Sequence, residues 1–171
     1  MDELDEEQLR TLLPGLGRFA RSLVADASSA DDLVQAALER ALSRWRSRRD
    51  SEALRPWLFQ ILYRQFIDET RRNARRQRLA LLFGAQVQEA APSAERVHDG
   101  RAVLAKFDQL PSDHRALLML VAVEGFSYRE AADALGLPIG TVMSRLSRAR
   151  DRLRLLEEGQ THTNRPLRGV P

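Results

Sequence analysis

The fold is decided by residues 127–154, which read SYREAADALGLPIGTVMSRLSRARDRLR. This stretch predicts two short helices joined by a tight turn. Ser127 can cap the first helix, with Glu130 three residues later as its capping-box partner. Gly136 supplies the turn, because a residue without Cβ bends there at little steric cost. The second helix begins near Pro138, since proline is tolerated in the first turn of a helix. The stretch is therefore predicted to be a helix-turn-helix.

The second helix of this motif has two chemically different faces. Its apolar back is formed at helical spacing by Val142, Leu146, Ala149 and Leu153. Its front carries small hydroxyls and arginines, at Thr141, Ser144, Arg145, Arg148 and Arg152. Arginine can bond guanine edges bidentately or grip phosphates, while serine and threonine suit either contact. We interpret this front as a DNA-binding surface. The plainer alternative is a helical hairpin with a solvated basic face.

Length and composition set broad limits on the protein. With 171 residues and a hydrophobic share of 43%, the chain suits one large or two small domains with real cores. No apolar run approaches the roughly 18 residues of a membrane span, so no membrane insertion is expected. The N-terminus is acidic, unlike a secretory signal. There is no cysteine, and the three histidines lack a metal-ligand spacing. We expect a cytosolic protein without a metal or other cofactor.

The net charge of +3 conceals a strong pattern along the chain. Residues 1–39 carry 3 basic and 9 acidic groups, whereas residues 40–80 carry 12 and 4. Residues 81–136 are again acidic, with 5 basic and 8 acidic groups, and residues 137–171 carry 7 and 3. Two basic blocks separated by an acidic one predict two separate contacts with a polyanion.

Hydrophobic periodicity predicts an all-α protein of two small helical domains. We expect N-terminal helices over 9–23 and 30–45, and a third from about residue 55 into the arginines at 71–76. Residues 80–101 are small and polar without a sustained period, which indicates a flexible linker. A second domain covers 102–156, with a helix starting at Pro111. Residues 157–171 are expected to form a polar, disordered tail.

Four segments together resemble bacterial sigma factors of the extracytoplasmic-function (ECF) type, the small two-domain class. The first is 31–38 (DDLVQAAL) and the second is 57–62 (WLFQIL) with 67–72 (IDETRR). The third runs from Leu110-Pro111 to the EGFSY sequence at 124–128, and the fourth is the helix that carries Gly140-Thr141-Val142. The resemblance extends over roughly residues 9–155. It implies that 1–79 is sigma domain 2 and that 102–156 is sigma domain 4.

The resemblance assigns a role to each segment. The helix at 31–38 would dock on core RNA polymerase through Asp31, Asp32 and Gln35, with Leu33 or Val34 as an apolar anchor. Alternatively, both aspartates stabilise a helix N-terminus. The fourth segment would read the −35 promoter element. Contacts to the −10 element would come from Arg46, Arg48, Arg49, Arg64, Arg71, Arg72, Arg75 and Arg76. Family members often carry asparagine where this chain has Arg64, so the −10 contact there is expected to differ.

The resemblance implies an alternative sigma factor for stress responses, controlled by an anti-sigma factor. The sequence contains no phosphate-binding glycine loop and no nucleophile with a placed base, so an enzyme is not expected. Two other functions remain open. A stand-alone helix-turn-helix regulator would not need the helix at 31–38 or the first basic block. A sigma mimic that sequesters an anti-sigma factor would not need the arginines at 145, 148 and 152.

Overall fold

A computed structural model describes residues 6–24, 26–45, 53–83 and 106–163. These parts of the chain form helices and contain no β-strand. The helices are α1 (Glu6–Leu23), α2 (Ala27–Arg44), α3 (Leu54–Leu82), α4 (Ser112–Leu118), a π-helical turn (Met119–Val123), α5 (Tyr128–Leu135) and α6 (Ile139–Thr163). The all-α prediction is confirmed.

Helix α1 starts earlier than its periodicity predicts and runs through Pro14 without a break. Proline removes one backbone hydrogen bond inside a helix, but Pro14 lies on the exposed side. The opposite side buries Leu16, Phe19 and Leu23 completely or nearly so. Burial of this stripe holds the helix together across the proline, because packing of an apolar face supplies most helical stability in proteins.

Helix α2 begins at a cap that lies before the predicted start. The carboxylate of Asp26 accepts a hydrogen bond of 2.8 Å from the backbone N–H of Ser29. That bond lowers the pKa of Asp26. The buried face of α2 consists of Leu33 and three alanines, which allow close packing against α1 and α3.

Helix α3 is buried in its first half and exposed in its second. Leu58, Phe59 and Leu62 are fully buried, whereas residues 70–79 are exposed. The helix continues to Leu82, beyond the boundary predicted at residue 79. Residues 77–82 contain good helix formers and no glycine or proline. The remainder of the predicted linker, apart from Phe83, lies outside the described residues.

The C-terminal helices follow the predicted turn chemistry. Ser127 and Glu130 form both hydrogen bonds of the capping box at the start of α5. Gly136 ends α5 in the left-handed conformation, with φ of 65°. Helix α6 continues to Thr163, so the expectation of a disordered tail from residue 157 is wrong for 157–163. No proline interrupts the helix before residue 166.

The two helical groups, α1–α3 and α4–α6, pack against each other. Helix α3 lies against α5, and α1 lies against α4. The ring centroids of Phe59 on α3 and Phe126 before α5 are 4.9 Å apart, and the buried residues form one continuous hydrophobic core. The sequence left this arrangement open, and the structure places both groups in one compact unit.

Candidate nucleic-acid interface

Helix α6 presents the two faces that the sequence predicts. Val142, Leu146 and Ala149 are completely buried, or nearly so, against α4 and α5. Ser144, Arg148 and Arg152 are exposed. Thr141 is half-buried, and its backbone carbonyl accepts a 3.1 Å hydrogen bond from the hydroxyl of Ser144. The first turns of α6 therefore present small polar groups, followed by arginines at successive turns.

Arg145 lies at the edge of this face rather than at its centre. Its guanidinium donates a 3.0 Å hydrogen bond to the carboxylate of Asp113 on α4. The two side chains are 34% and 33% exposed. Tyr63 of α3 lies near both charged side chains. Burial raises the pKa of Tyr63, and the Asp113 carboxylate raises it further, whereas the positive charge of Arg145 opposes the rise. Arg145 is thus held in place from α4 and borders the N-terminal helical group.

The centre of the exposed face includes residues that the sequence analysis did not single out. At 100° per residue, Ser147 and Asp151 lie opposite the buried Val142 and Leu146, and both are exposed. Met143 is 54% exposed on the flank away from Arg145. A helical projection centred on the buried residues would have identified all three from the sequence.

A second basic surface lies on α3. The side chains of Arg64, Arg71, Arg72, Arg75 and Arg76 are all exposed, and Arg78 extends the series. From residue 70 to 83 the helix projects past the hydrophobic core, so arginines surround it on several sides. This basic arm, residues 64–78, can follow a phosphate backbone. Arg46, Arg48 and Arg49 lie outside the described residues.

Helix α2 carries an acidic surface on the side facing away from the core. Asp31, Asp32 and Gln35 are exposed, and the Gln35 amide donates a 3.1 Å hydrogen bond to Glu39. Because Asp26 caps the helix, both aspartates lie beyond the first turn, where the helix dipole has little effect. The capping alternative therefore does not account for them.

One residue assigned to this surface belongs to the core instead. Leu33 is 1% exposed and packs in the hydrophobic cluster, so its side chain cannot contact a partner. Val34 is half-buried and stays available at the edge of the surface. Leu42, two turns further along α2, is 57% exposed and was not singled out in the sequence. The apolar side chains of α2 that a partner can contact are therefore Val34 and Leu42.

Other kinds of site were also sought in the described ranges. They contain no group of three or more histidine, cysteine, aspartate or glutamate side chains that could hold a metal ion. None of their helices is both long and apolar enough to cross a membrane.

Comparison with known proteins identifies the class to which these surfaces belong. Residues 100–153 match the family model "Sigma-70, region 4", and residues 9–63 match "Sigma2 domain of PhyR". The ECF RNA polymerase sigma factor EcfG of Rhodopseudomonas palustris is 37% identical over 150 residues, covering 88% of this chain and 83% of that protein. SigM of Bacillus subtilis, also an ECF RNA polymerase sigma factor, is 31% identical over 141 residues, covering 81% of this chain and 86% of that protein.

A solved structure agrees with these matches. The sigma factor RpoE of Bartonella quintana, solved in complex with the anti-sigma factor NepR, is 34% identical, with a TM-score of 0.74 over 90% of this chain and 96% of that chain. The anti-anti-sigma factor PhyR of the same organism, at 23% identity and a TM-score of 0.58, shares the fold. The chain belongs to the family of ECF RNA polymerase sigma factors.

Proposed function

We propose that the protein is an alternative sigma factor that binds core RNA polymerase and directs promoter-specific transcription initiation. The observation that carries this proposal is the separation of three surfaces on one chain of the ECF family: an acidic one on α2, a basic one on α3 and a mixed hydroxyl and arginine surface on α6. A sigma factor needs one protein contact and two DNA contacts, and these surfaces supply the chemistry for each.

Residues 1–79 act as sigma domain 2 in this proposal, and residues 102–156 act as sigma domain 4. The linker predicted at 80–101 starts after α3, which ends at Leu82. Core polymerase docks on Asp31, Asp32, Val34 and Gln35. Leu33 supports that surface from the core. The acidic side chains are solvated in the free protein, so they give specificity and orientation more than affinity.

The basic arm of α3, with Arg64, Arg71, Arg72, Arg75 and Arg76, contacts the −10 region. Arg46, Arg48 and Arg49 precede it in the chain and contribute to the same element. Arginines on an exposed helix neutralise phosphates and so release counterions. Backbone neutralisation of this kind offsets part of the cost of opening the duplex.

Helix α6 reads the −35 element in the major groove. Thr141 and Ser144 lie near its N-terminal end, where a recognition helix meets base edges. Arg145 reaches the groove from the edge of the face, oriented by Asp113. Arg148 and Arg152 follow at successive turns and are exposed for contact with bases or phosphates.

The protein acts in the bacterial cytoplasm, where its polymerase and DNA partners are, and the proposal assigns it no catalytic role. An anti-sigma factor controls it. The solved complex of the related RpoE with NepR supports this part of the proposal. A helical partner can cover the acidic and basic surfaces while the factor is idle.

Run-off transcription with purified core polymerase tests the function directly. We expect transcripts that start at defined positions on promoter fragments and that require both the protein and the core enzyme. A stand-alone regulator would bind these fragments, but a mixture of that regulator and core enzyme would not start transcription. Absence of promoter-dependent transcripts on all genomic fragments would contradict the proposal.

One observation favours a second candidate. The match of residues 9–63 to the sigma2 domain of PhyR is consistent with a sigma mimic that sequesters an anti-sigma factor. The exposed arginines of α3 and α6 favour the sigma factor, because a mimic needs no DNA contact. The same transcription assay separates the two, since a mimic gives no transcript at any protein concentration.

A further inference from the structure

Helix α6 carries two exposed apolar side chains near its N-terminal end. Ile139 is 49% exposed and Met143 is 54% exposed. Residues four apart on a helix lie about 40° apart around its axis, so these two form one apolar strip along a single flank. Neither side chain belongs to the hydrophobic core or packs against its edge. Packing within the described part of the chain therefore does not explain why both positions are apolar.

The apolar strip, Ile139 with Met143, borders the surface that we assign to the −35 element. Arg145 lies on the opposite flank of α6, where Asp113 holds it. Ser144 is exposed between the two flanks. A major groove about 12 Å wide admits a whole α-helix. A helix that presents Ser144 to the bases therefore also brings the apolar strip close to them.

Gly140 allows this end of α6 to approach another surface closely. It is exposed, and it lies about 40° from Ser144 around the helix axis. A Cβ on Gly140 would meet nothing within 4 Å, and its backbone does not adopt a positive φ. Neither packing nor backbone geometry requires glycine there, and glycine is a poor helix former. Its benefit is that the backbone of the helix can come close to a ligand.

The charge around the apolar strip indicates the kind of partner. Arg148, Arg150 and Arg152 are exposed, and no carboxylate of the described residues pairs with any of them. Arg150 lies on the same flank as the strip, about two turns beyond Met143. Three arginines without a carboxylate partner favour an anionic ligand, because they attract it from solution. The partner of this flank should therefore be anionic and should also present small apolar groups.

Duplex DNA has both kinds of group in and around its major groove. Its phosphates carry the negative charge, and thymine presents a C5-methyl group that apolar side chains contact. Ile139 and Met143 are separated by a rise of about 6 Å along the helix, which is close to two base-pair steps of about 3.4 Å each. Methionine suits such a contact, because its flexible thioether adapts to the shape of its partner.

We propose that Met143, supported by Ile139, recognises thymine in the −35 element through contact with the C5-methyl group. The close approach that Gly140 permits brings both side chains to the base edges. This contact rests on the proposed function and adds to it a particular base and the residue that reads it. Hydroxyls and arginines do not distinguish thymine from uracil by hydrogen bonding, because the two bases differ only in the methyl group. An apolar contact does distinguish them.

Replacement of thymine by deoxyuridine removes the methyl group alone and so tests the contact directly. A DNA duplex library randomised over the −35 element is enriched with the full chain, with and without core polymerase. Each thymine of the enriched sequence is then replaced by deoxyuridine, one at a time, and binding is measured by anisotropy. We expect the native chain to lose affinity about fourfold at one or two thymines, as burial of one methyl-sized group implies.

Variants at position 143 assign the effect to this residue. Met143→Ala should bind the thymine and deoxyuridine duplexes equally at one of these positions. Met143→Leu should keep most of the difference, because leucine is apolar and of similar volume. Leu155→Ala is the matched control: Leu155 is 62% exposed on the same helix, but it lies about 18 Å beyond Met143 along the axis. That distance exceeds the width of the major groove, about 12 Å, so the control should keep the full difference.

Gly140→Ala tests the close approach of the helix. The added methyl group has space in the free protein, so thermal stability should not fall, whereas binding to every duplex should weaken. Native affinity in this variant would overturn the role of Gly140. Circular dichroism establishes that each variant is folded.

Three results would overturn the recognition of thymine by Met143. The first is equal binding of the native chain to thymine and deoxyuridine at every position. The second is a difference that persists in Met143→Ala, because another residue would then contact the methyl group. The third is weaker binding of Met143→Ala to core polymerase in the absence of DNA, which would show that a protein covers this residue.

Failure of the methyl contact and failure of the proposed function give different results. Promoter-dependent transcripts without any effect of deoxyuridine would overturn the contact alone. A deoxyuridine effect that depends on Met143, without transcripts in the run-off assay, would support the contact and contradict the sigma function. If no sequence is enriched with or without core polymerase, both are overturned.

Discussion

Arg145 of α6 and Asp113 of α4 form an ion pair of 3.0 Å at the edge of the exposed face of α6. The pair joins α6 to α4 and fixes the direction of the guanidinium. An arginine whose direction is fixed by a carboxylate loses less conformational freedom when it binds a base edge. Asp113 is therefore a positioning residue for the −35 contact that we assign to Arg145.

The first prediction is that Asp113→Ala and Arg145→Ala relax preference at the same −35 positions. We expect each to reduce discrimination there by about 1–3 kcal/mol, the range of a bidentate base contact. The measurement is binding to a panel of single-base −35 variants, with the double variant completing a cycle. A coupling energy of about 0.5–3 kcal/mol indicates a shared role. Equal loss on every DNA would show that Arg145 is a phosphate contact.

The second prediction concerns Arg152, two turns along α6 from Arg145. As an exposed arginine near the end of the groove contact, it should bind the DNA backbone. We expect Arg152→Ala to weaken binding to all sequences alike and to reduce the slope of log affinity against log salt by about one. Arg21→Ala removes an exposed arginine of α1, which carries neither DNA-binding surface, so it is the control and should keep the slope. A change confined to some −35 variants would contradict the assignment.

The third prediction tests the acidic surface of α2. Asp32→Arg reverses an exposed charge without touching the core, so we expect weaker binding to core polymerase and unchanged thermal stability. Glu157→Arg makes the same change on α6, away from α2, and should leave polymerase affinity unchanged. Anisotropy titration with labelled protein measures both. Equal affinity for Asp32→Arg and the native chain would refute docking at this residue.

Leu33→Ala provides the complementary comparison at the neighbouring position. Because Leu33 is fully buried, its truncation should cost about 2–5 kcal/mol of folding stability through lost packing and a cavity. Denaturant unfolding measures the loss. Any fall in polymerase binding should then follow the fraction of folded protein, unlike the fall caused by Asp32→Arg.

The fourth prediction is a pH dependence at the capping box of α5. Hydrogen bonds from the backbone N–H and the hydroxyl of Ser127 lower the pKa of Glu130 from its ordinary value of 4.5. A lowered carboxyl pKa contributes stability that is present above pH 4.5 and is lost as the pH falls through the folded value. Glu130→Gln should therefore destabilise the protein at neutral pH, with the difference shrinking in acid. A difference that stays constant down to pH 3 would contradict this account.

Local chemistry in the sequence determined much of the fold and of the candidate site. Capping at Ser127, the turn at Gly136 and the buried face of Val142 and Leu146 depend on residues close in the chain, so periodicity and cap rules predicted them. The helical class followed from the same rules. Errors occurred at helix ends, where α3 and α6 extend past their predicted limits and no proline interrupts them.

Tertiary structure alone decided which faces are free and how the two helical groups meet. Periodicity places Leu33 and Val34 side by side on α2, but only packing against α1 and α3 shows that Leu33 is buried. The Arg145–Asp113 and Arg18–Glu124 ion pairs join residues 32 and 106 positions apart in the chain. Helix-capping and periodicity rules use only residues that are close in the chain, so they cannot predict these contacts. Whether a side chain is buried or paired depends on which distant part of the chain packs against it.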